Sequence, residues 1–223
     1  MLPRSLSTTA GDASETSIVY IIDDDESMQE ALKDLLCTVG IRAETFASPK
    51  EFLAFPKRSN VASCLILDVR LRGESGLAFQ QEVAKSGMHM PILFMTGYGD
   101  IEMSVKAMKA GAADFFPKPF RDQEMLEAIV HALTRDKERL AAEESLASLR
   151  AAYDSLTQRE HEVMGFVVAG LMNKQIAAEM GLSEITVKVH RGQMMRKMCS
   201  TSVADLVRKA DALRIKSPQF QTR

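Results

Sequence analysis

The chain has 223 residues, of which 46% are hydrophobic, so it can form one large domain or two modest ones with buried cores. No apolar run approaches the roughly 20 residues of a membrane-spanning helix, and residues 1–17 lack a signal-peptide segment, so we expect a flexible leader and a cytoplasmic protein without membrane contact. The net charge of −2 divides unequally, with −7 before Thr157 and +5 from Thr157 onward, while three scattered cysteines suggest neither a disulfide framework nor a zinc site.

Short apolar strands alternate with amphipathic helices through the first part of the chain. The pattern predicts strands at 18–22, 42–46, 64–68, 91–95 and 113–116. The predicted helices are 26–38, a short one after Ser48-Pro49, 76–85, 100–110 and one from about Arg121. Five βα units of this kind predict a doubly wound α/β domain with a five-stranded parallel sheet, spanning residues 18–130.

A helical linker is predicted over residues 131–156. Leu126, Leu133, Leu140 and Ala147 repeat every seven residues, but the intermediate positions carry charges such as Lys137. The stripe is therefore only half of a coiled-coil seam. A helix that pairs two subunits and a solvated spacer helix both remain open.

The remaining chain predicts an all-α domain of four helices over 157–216, followed by a flexible tail at 217–223. Thr157 and Glu160 form a capping-box pattern, while Asn173, Ser183 and Ser202 are predicted to cap the next three helices. The second and third helices, joined by residues 181–183, have helix-turn-helix dimensions. A basic domain of this kind suits a polyanion such as DNA.

Reactive polar residues follow four of the predicted strands. They are Asp23-Asp24-Asp25, Asp68, Thr96 and Lys118. Because the carboxyl ends of parallel strands meet at one edge of the sheet, these residues should converge there. Converging carboxylates repel one another, and a hard divalent cation, most simply Mg²⁺, resolves the conflict. Asp25 is better placed to cap the helix that begins there than to bind the ion.

The segments IIDD, LILD, MTG and FPKPF, within residues 17–126, resemble a response-regulator receiver domain. The sequence around them is similar to the FixJ branch, including its StyR-like members. The resemblance implies that Asp68 accepts a phosphoryl group from a partner histidine kinase. It also implies that Asp24, Asp68 and the Arg70 carbonyl bind Mg²⁺, with Asp23 acting through water.

The same resemblance implies a switch. Lys118 and Thr96 would contact the phosphoryl group, and Phe115 would be the aromatic residue that moves with Thr96, although either Phe115 or Phe116 must point into the core. The Lys118–Pro119 bond is expected to be cis.

One residue departs from the usual receiver pattern, and two others occupy positions that vary among receivers. Arg72 occupies the place where receivers usually have proline, so we expect a more mobile loop. Arg70 and Tyr98 occupy the variable positions beside the site. Both are large enough to obstruct water, and we therefore hypothesise a long-lived phosphoryl-aspartate.

The segments LTQRE, GLMNKQIA and SEITVKVHRGQMMRKM closely resemble a LuxR/NarL-type DNA-binding domain. The predicted packing residues are Ile176, Ala177, Met180, Leu182, Ile185, Val187 and His190. The predicted contacts along the recognition helix are Thr186, Lys188, Val189, Arg191 and Gly192, where lysine or arginine can bind guanine edges and Val189 can touch a thymine methyl group. The predicted phosphate contacts are Asn173, Lys174, Thr186 and Lys197.

Together the two resemblances identify a two-component response regulator of the NarL/FixJ family. Phosphorylation would favour homodimerisation through the helix at 100–110, the last strand and the helix from Arg121, so that paired modules bind two half-sites of double-stranded DNA. RNA polymerase is a further candidate partner. Two rival classes are a haloacid-dehalogenase-type phosphatase, which needs an acid where Arg70 stands, and a constitutive DNA binder whose first domain is only a dimerisation scaffold.

Overall fold

The computed structural model describes residues 17–72, 74–97 and 101–215. The tail and nearly all of the predicted leader lie outside these ranges, although Ser17 begins the first strand. Contacts divide the chain into two compact units, with the boundary between Leu140 and Ala141 inside a long helix. Among the described residues, no helix combines the length and apolar character needed to cross a bilayer.

The first unit is built on a five-stranded parallel sheet with strand order β2-β1-β3-β6-β7. Its strands are β1 Ser17–Ile22, β2 Arg42–Phe46, β3 Ala62–Asp68, β6 Ile92–Thr96 and β7 Asp114–Pro117. The predicted doubly wound fold is confirmed. A short antiparallel pair, β4 Arg70–Leu71 with β5 Glu74–Ser75, follows β3 and was not predicted.

Alternation along the strands gives the sheet two apolar faces. On β1, Tyr20 and Ile22 belong to one buried cluster, and Val19 and Ile21 belong to the other. Because successive side chains in a strand point to opposite faces, such a strand must be covered on both sides. Five helices cover the sheet: α1 Glu26–Thr38, α2 Pro49–Ala54, α3 Gly76–Lys85, α4 Ile101–Lys109 and α5 Asp122–Asp154.

Helix α5 is a single helix of 33 residues. Its first part packs on the sheet, where Ile129 and Leu133 are buried. The buried Asp136 carboxylate accepts a hydrogen bond of 2.8 Å from the Ser63 N–H at the start of β3. Packing of the first unit therefore continues beyond residue 130, where the predicted domain ended. The two interpretations of the linker helix both remain predictions.

The second unit consists of the end of α5 and four further helices. These are α6 Gln158–Val168, α7 Asn173–Met180, α8 Glu184–Lys197 and α9 Val203–Ala212, around one buried cluster. Thr157 and Glu160 form the predicted capping box. Gly181 ends α7 with a φ of 64°, which favours glycine. The prediction that Asn173 caps α7 was wrong, because Met172 occupies the N-cap position and Asn173 is the first helical residue.

Candidate functional site

The carboxyl edge of the first unit's sheet carries a cluster of acidic side chains. Asp23 follows β1 and Asp68 ends β3, two adjacent strands from which the chain proceeds to opposite sides of the sheet. Open α/β sheets form sites at such points. One carboxylate oxygen from each of Asp23, Asp24 and Asp68 lies within 4.8 Å of the others. Asp25 instead caps α1 by accepting a hydrogen bond from Ser27 N–H, as predicted.

Lys118 supplies a positive charge to this cluster. Its Nζ lies 2.7 Å from Oδ2 of Asp23 and 2.7 Å from Oδ2 of Asp68. The remaining oxygens are also fixed, since Asp25 N–H donates to Oδ1 of Asp23 and Arg70 N–H donates to Oδ1 of Asp68, each at 2.9 Å. The Lys118–Pro119 bond is cis, as the resemblance implied.

Burial gives the cluster its electrostatic character. Asp23 is 1% exposed and Asp68 is 7% exposed. Burial raises the pKa of the Asp23 carboxyl above its usual range, although the hydrogen bond with Lys118 acts in the opposite direction. Burial lowers the pKa of the Lys118 ammonium, but hydrogen bonds with Asp23 and Asp68 raise it by more, so this pKa lies above its usual value. The ammonium therefore remains protonated at neutral pH.

The acidic cluster fits a hard divalent cation. Three carboxylate oxygens at this separation are the donor type that Mg²⁺ and Ca²⁺ prefer. Lys118 pairs with two of the three carboxylates, and Asp24 has a different partner. Asp24 Oδ2 lies 2.9 Å from Nε of Arg72, whose side chain is 87% exposed.

The other residues predicted for this edge differ in how far they are buried. Thr96 is buried at the end of β6, and its main-chain carbonyl accepts a 2.7 Å hydrogen bond from Lys118 N–H. Phe115 is half-buried with its ring centroid 6.4 Å from that of Phe94, whereas Phe116 is buried in the core. Arg70 has an exposed side chain, and Tyr98 lies outside the described residues.

Gly76 contributes to the site in a way that the sequence did not reveal. A Cβ at this position would overlap the main-chain oxygen of Asp68 and would lie 3.1 Å from the Cα of Val69. Gly76 N–H also donates to the Val69 carbonyl at 2.9 Å. A glycine at the first position of a helix, where it has no propensity advantage, was the available signal.

Helix α8 presents the second candidate surface. Lys188, Val189 and Gly192 are exposed, whereas Val187 and Met194 face the core. The expectation that Ile185 packs between helices was wrong, because this side chain is 78% exposed. The other predicted packing residues, Ile176, Ala177, Met180, Leu182, Val187 and His190, are buried or half-buried.

Four of the residues predicted to contact DNA, namely Asn173, Thr186, Arg191 and Lys197, already have partners within the unit. Arg191 Nη1 donates to Asn173 Oδ1 at 2.7 Å, which ties α8 to the start of α7. The hydroxyls of Thr186 and Ser183 lie 2.8 Å apart at the start of α8. Lys174 is exposed.

Lys197 takes part in an internal ion pair. Its Nζ lies 2.7 Å from Oε2 of the buried Glu160 and donates to the Ser155 carbonyl at 3.1 Å. The hydrogen bond from Lys197 is the largest cause of a lowered pKa at Glu160, and hydrogen bonds from Thr157 add to it. A lysine in this position stabilises the helical unit, whatever further contact it makes.

Two family models match this architecture, one for each unit. Residues 19–130 match the response regulator receiver domain, and residues 154–210 match the luxR family of bacterial regulatory proteins. The chain therefore belongs to the two-component response regulators that combine a receiver with a LuxR-type helix-turn-helix DNA-binding domain. These proteins are transcription factors rather than enzymes, their receiver implies a histidine kinase partner, and their output domain implies DNA binding.

Within that family the chain is similar to FixJ-like and StyR-like regulators. Nodulation protein W of Bradyrhizobium diazoefficiens is 50% identical over 204 residues, which cover 92% of this chain and 89% of that protein. FixJ of Azorhizobium caulinodans is 38% identical, with 88% and 92% covered. The structure of the response regulator StyR is 43% identical and superposes with a TM-score of 0.81, covering 88% of this chain and 98% of StyR.

Proposed function

We propose that Asp68 accepts a phosphoryl group from a partner histidine kinase and that this transfer controls DNA binding. The supporting observation is the Asp68 carboxylate, buried at a strand end 2.7 Å from the Lys118 ammonium and beside two further carboxylates. An Asp68 oxygen attacks the phosphorus of phosphohistidine, an O–P bond forms, and the N–P bond breaks with its electron pair remaining on the imidazole nitrogen. The Lys118 ammonium offsets negative charge on the phosphoryl oxygens.

Mg²⁺ is the proposed cofactor of this step. Asp24 and Asp68 would hold it together with the main-chain carbonyl of Arg70, and Asp23 would contribute through water. When bound, the ion supplies further positive charge beside the transferring group. The clustering of three carboxylate oxygens within 4.8 Å supports this assignment.

Phosphorylation is proposed to change the face formed by α4, β7 and α5. Thr96 and Lys118 would bind the phosphoryl oxygens, and Phe115 would move with Thr96. Exposed apolar side chains already lie on two of these elements, Val105 and Met108 on α4 and Val130 on α5. Burial of such side chains against a second copy favours a homodimer.

The dimer is proposed to place two α8 helices on promoter half-sites in the cytoplasm, where it would also meet RNA polymerase. Lys188 and Arg191 would contact guanine edges, Val189 would touch a thymine methyl group, and Gly192 would allow close approach. The proposed phosphate contacts are Asn173, Lys174, Thr186 and Lys197. The exposure of Lys174 and Lys188 supports their part in this assignment, whereas Arg191 and Lys197 would have to combine DNA contact with the internal contacts described above.

The phosphorylation site is tested by intact-mass measurement after treatment with acetyl phosphate and Mg²⁺. The wild type should gain one phosphoryl group, and Asp68→Asn should gain none. Asp25→Asn is the matched control, because Asp25 is a neighbouring acid outside the carboxylate cluster and asparagine keeps the helix cap. A phosphoryl group on Asp68→Asn would contradict the assignment.

The regulated output is tested by sedimentation and gel-shift assays with and without the same phosphodonor. Treatment should produce a dimer and tighter DNA binding in the wild type but not in Asp68→Asn. Equal DNA binding under all four conditions would instead support the constitutive DNA binder with a scaffold receiver.

The long phosphoryl lifetime remains a prediction that rests on Arg70 and Tyr98. Their replacement by alanine should speed loss of the phosphoryl group, because water would reach the phosphorus more easily. Decay followed by intact mass in Arg70→Ala and Tyr98→Ala tests this. Equal or slower decay in both variants would contradict it.

A further inference from the structure

The recognition helix α8 carries an apolar strip on its exposed face. Ile185 is 78% exposed and Val189 is 52% exposed. Residues four apart lie one above the other on a helix, so the two branched side chains are neighbours. Gly192, one further turn along, is also exposed, and a Cβ built there meets no heavy atom within 4 Å apart from its chain neighbours and the backbone of its own helix. We name Ile185 and Val189 the α8 strip.

Packing within the second unit does not account for the α8 strip. The core side of α8 is formed by Val187 and Met194, which are buried. A β-branched residue on a solvated helix face gains nothing from helix propensity, and an isoleucine left in water forgoes its burial free energy. The strip therefore has the properties of a surface that is covered by a partner.

The charges around the α8 strip indicate what that partner is. Lys188, Arg196 and Glu184 are exposed on the same helix, and Lys174 is exposed near the start of α7. A small apolar centre bordered by more cations than anions complements the DNA major groove, where thymine offers a methyl group and the flanking phosphates are negative. A protein partner that covered the strip would instead be expected to bring a larger apolar surface.

We infer that Ile185 is a specificity-determining residue, which reads the C5-methyl group of a second thymine close to the one that Val189 is proposed to touch. This inference rests on the proposed binding of α8 in the major groove. Four residues of helix span about 6 Å, which corresponds to roughly two base-pair steps. The half-site should therefore contain two thymines separated by about that distance, on one strand or on opposite strands.

The inference is tested by removing the methyl groups alone. Full-length protein treated with phosphodonor first selects duplexes from a randomised pool. The selected duplex is then synthesised with deoxyuridine in place of each thymidine in turn, which removes the methyl group and keeps the base-pairing edge. Affinity is measured by fluorescence anisotropy. At two thymines the substitution should weaken wild-type binding by about fourfold, the effect of one buried methyl group.

Protein variants show which side chain contacts which thymine methyl group. Ile185→Ala should bind thymine and uracil equally at one of the two positions, and Val189→Ala should do so at the other. Val203→Ala is the matched control, because Val203 is an exposed valine on a different helix. It should keep the wild-type preference at both positions. Since Ile185 is exposed, its alanine variant should keep the wild-type melting temperature.

The outcomes separate this inference from the proposed function. Tight DNA binding by the wild type with no preference for thymine over uracil would overturn the inference and leave DNA binding intact. An unchanged preference in Ile185→Ala would show that Ile185 is not a reader. Failure of the full-length protein to bind any duplex would contradict the proposed function and the inference together.

Discussion

The two units place their charges in opposite ways. In the receiver, Asp23, Asp68 and Lys118 are largely buried and contact one another directly. On α8, Lys188 and Arg196 extend into solvent. Charges in a buried cluster interact strongly because little water screens them, whereas exposed charges more than about 10 Å apart are largely screened by salt.

This difference matches the different functions proposed for the two units, a phosphorylation switch in the receiver and DNA recognition by α8. In the receiver, a change at any one group alters the stability and ion affinity of the whole cluster. On α8, each side chain contributes to DNA binding with little effect on folding, and contributions from distant positions should add. The comparison predicts that substitutions in the receiver cluster change both stability and function. Substitutions on the exposed face of α8 should change DNA binding with little effect on stability.

Loss of Lys118 should have the largest effect. Lys118→Met leaves Asp23 and Asp68 facing each other without an ammonium, and removing one partner of a buried ion pair costs about 3–5 kcal/mol. Hydrogen exchange of β1 and β3 without divalent ions should show this loss, and added Mg²⁺ should restore more protection in the variant than in the wild type. Lys106→Met is the control, because Lys106 pairs with Glu102 on an exposed helix face. Equal protection in Lys118→Met and the wild type would contradict the prediction.

Glu160 should make the stability of the DNA-binding unit depend on pH. Its folded-state pKa lies below the usual value of about 4.3, chiefly because Lys197 donates to the charged form. This stabilisation is therefore complete above the usual pKa and is lost as pH falls through the folded-state pKa. Glu160→Gln keeps a capping side chain but loses the ion pair, which should cost about 1.5–3 kcal/mol near neutral pH. Hydrogen exchange of α6 and α8 measures it, and the difference from the wild type should shrink in acid.

Replacing one glycine in each unit by alanine should have opposite effects on stability. Gly76→Ala pushes a methyl group against the main chain of Asp68, and overpacking of this kind costs about 1–3 kcal/mol. Phosphorylation by acetyl phosphate should slow, since the acceptor carboxylate shifts. In Gly192→Ala the added methyl group has open space beside the helix, so the substitution should stabilise α8 by up to about 1 kcal/mol while weakening DNA binding. An equal loss of stability in both variants would contradict the contrast.

The sequence could predict the sheet and the residues at its edge because the direction of the strands decides where their ends lie. Apolar runs of strand length, separated by helices, favour parallel strands, and parallel strands bring Asp23, Asp68 and Thr96 to one edge. Ile185 and Val187 could not be separated in this way. Both faces of α8 carry apolar residues, so periodicity does not show which residues face the core.

The sequence also could not predict ion pairs between residues far apart in the chain, or the close approach of main-chain segments in the folded structure. The pair between Arg72 and Asp24 joins residues 48 positions apart, and the pair between Lys197 and Glu160 joins residues 37 apart. Neither spacing follows from a helix or strand period. The role of Gly76 depends on the path of the main chain at Asp68, which becomes visible only when the backbone is folded.

The contact between Arg72 and Asp24 yields the smallest prediction. The guanidinium lies on a carboxylate of the proposed Mg²⁺ site and so competes with the ion for Asp24. An exposed ion pair is worth only about 0–1 kcal/mol, so Arg72→Ala should tighten Mg²⁺ binding by at most about fivefold. Isothermal titration with Mg²⁺ measures this without phosphorylation. Arg42→Ala removes a comparable surface pair, with Glu44, away from the site and should leave Mg²⁺ affinity unchanged. Weaker binding in Arg72→Ala would mean that Arg72 helps to hold Asp24 in position for the ion rather than competing with it.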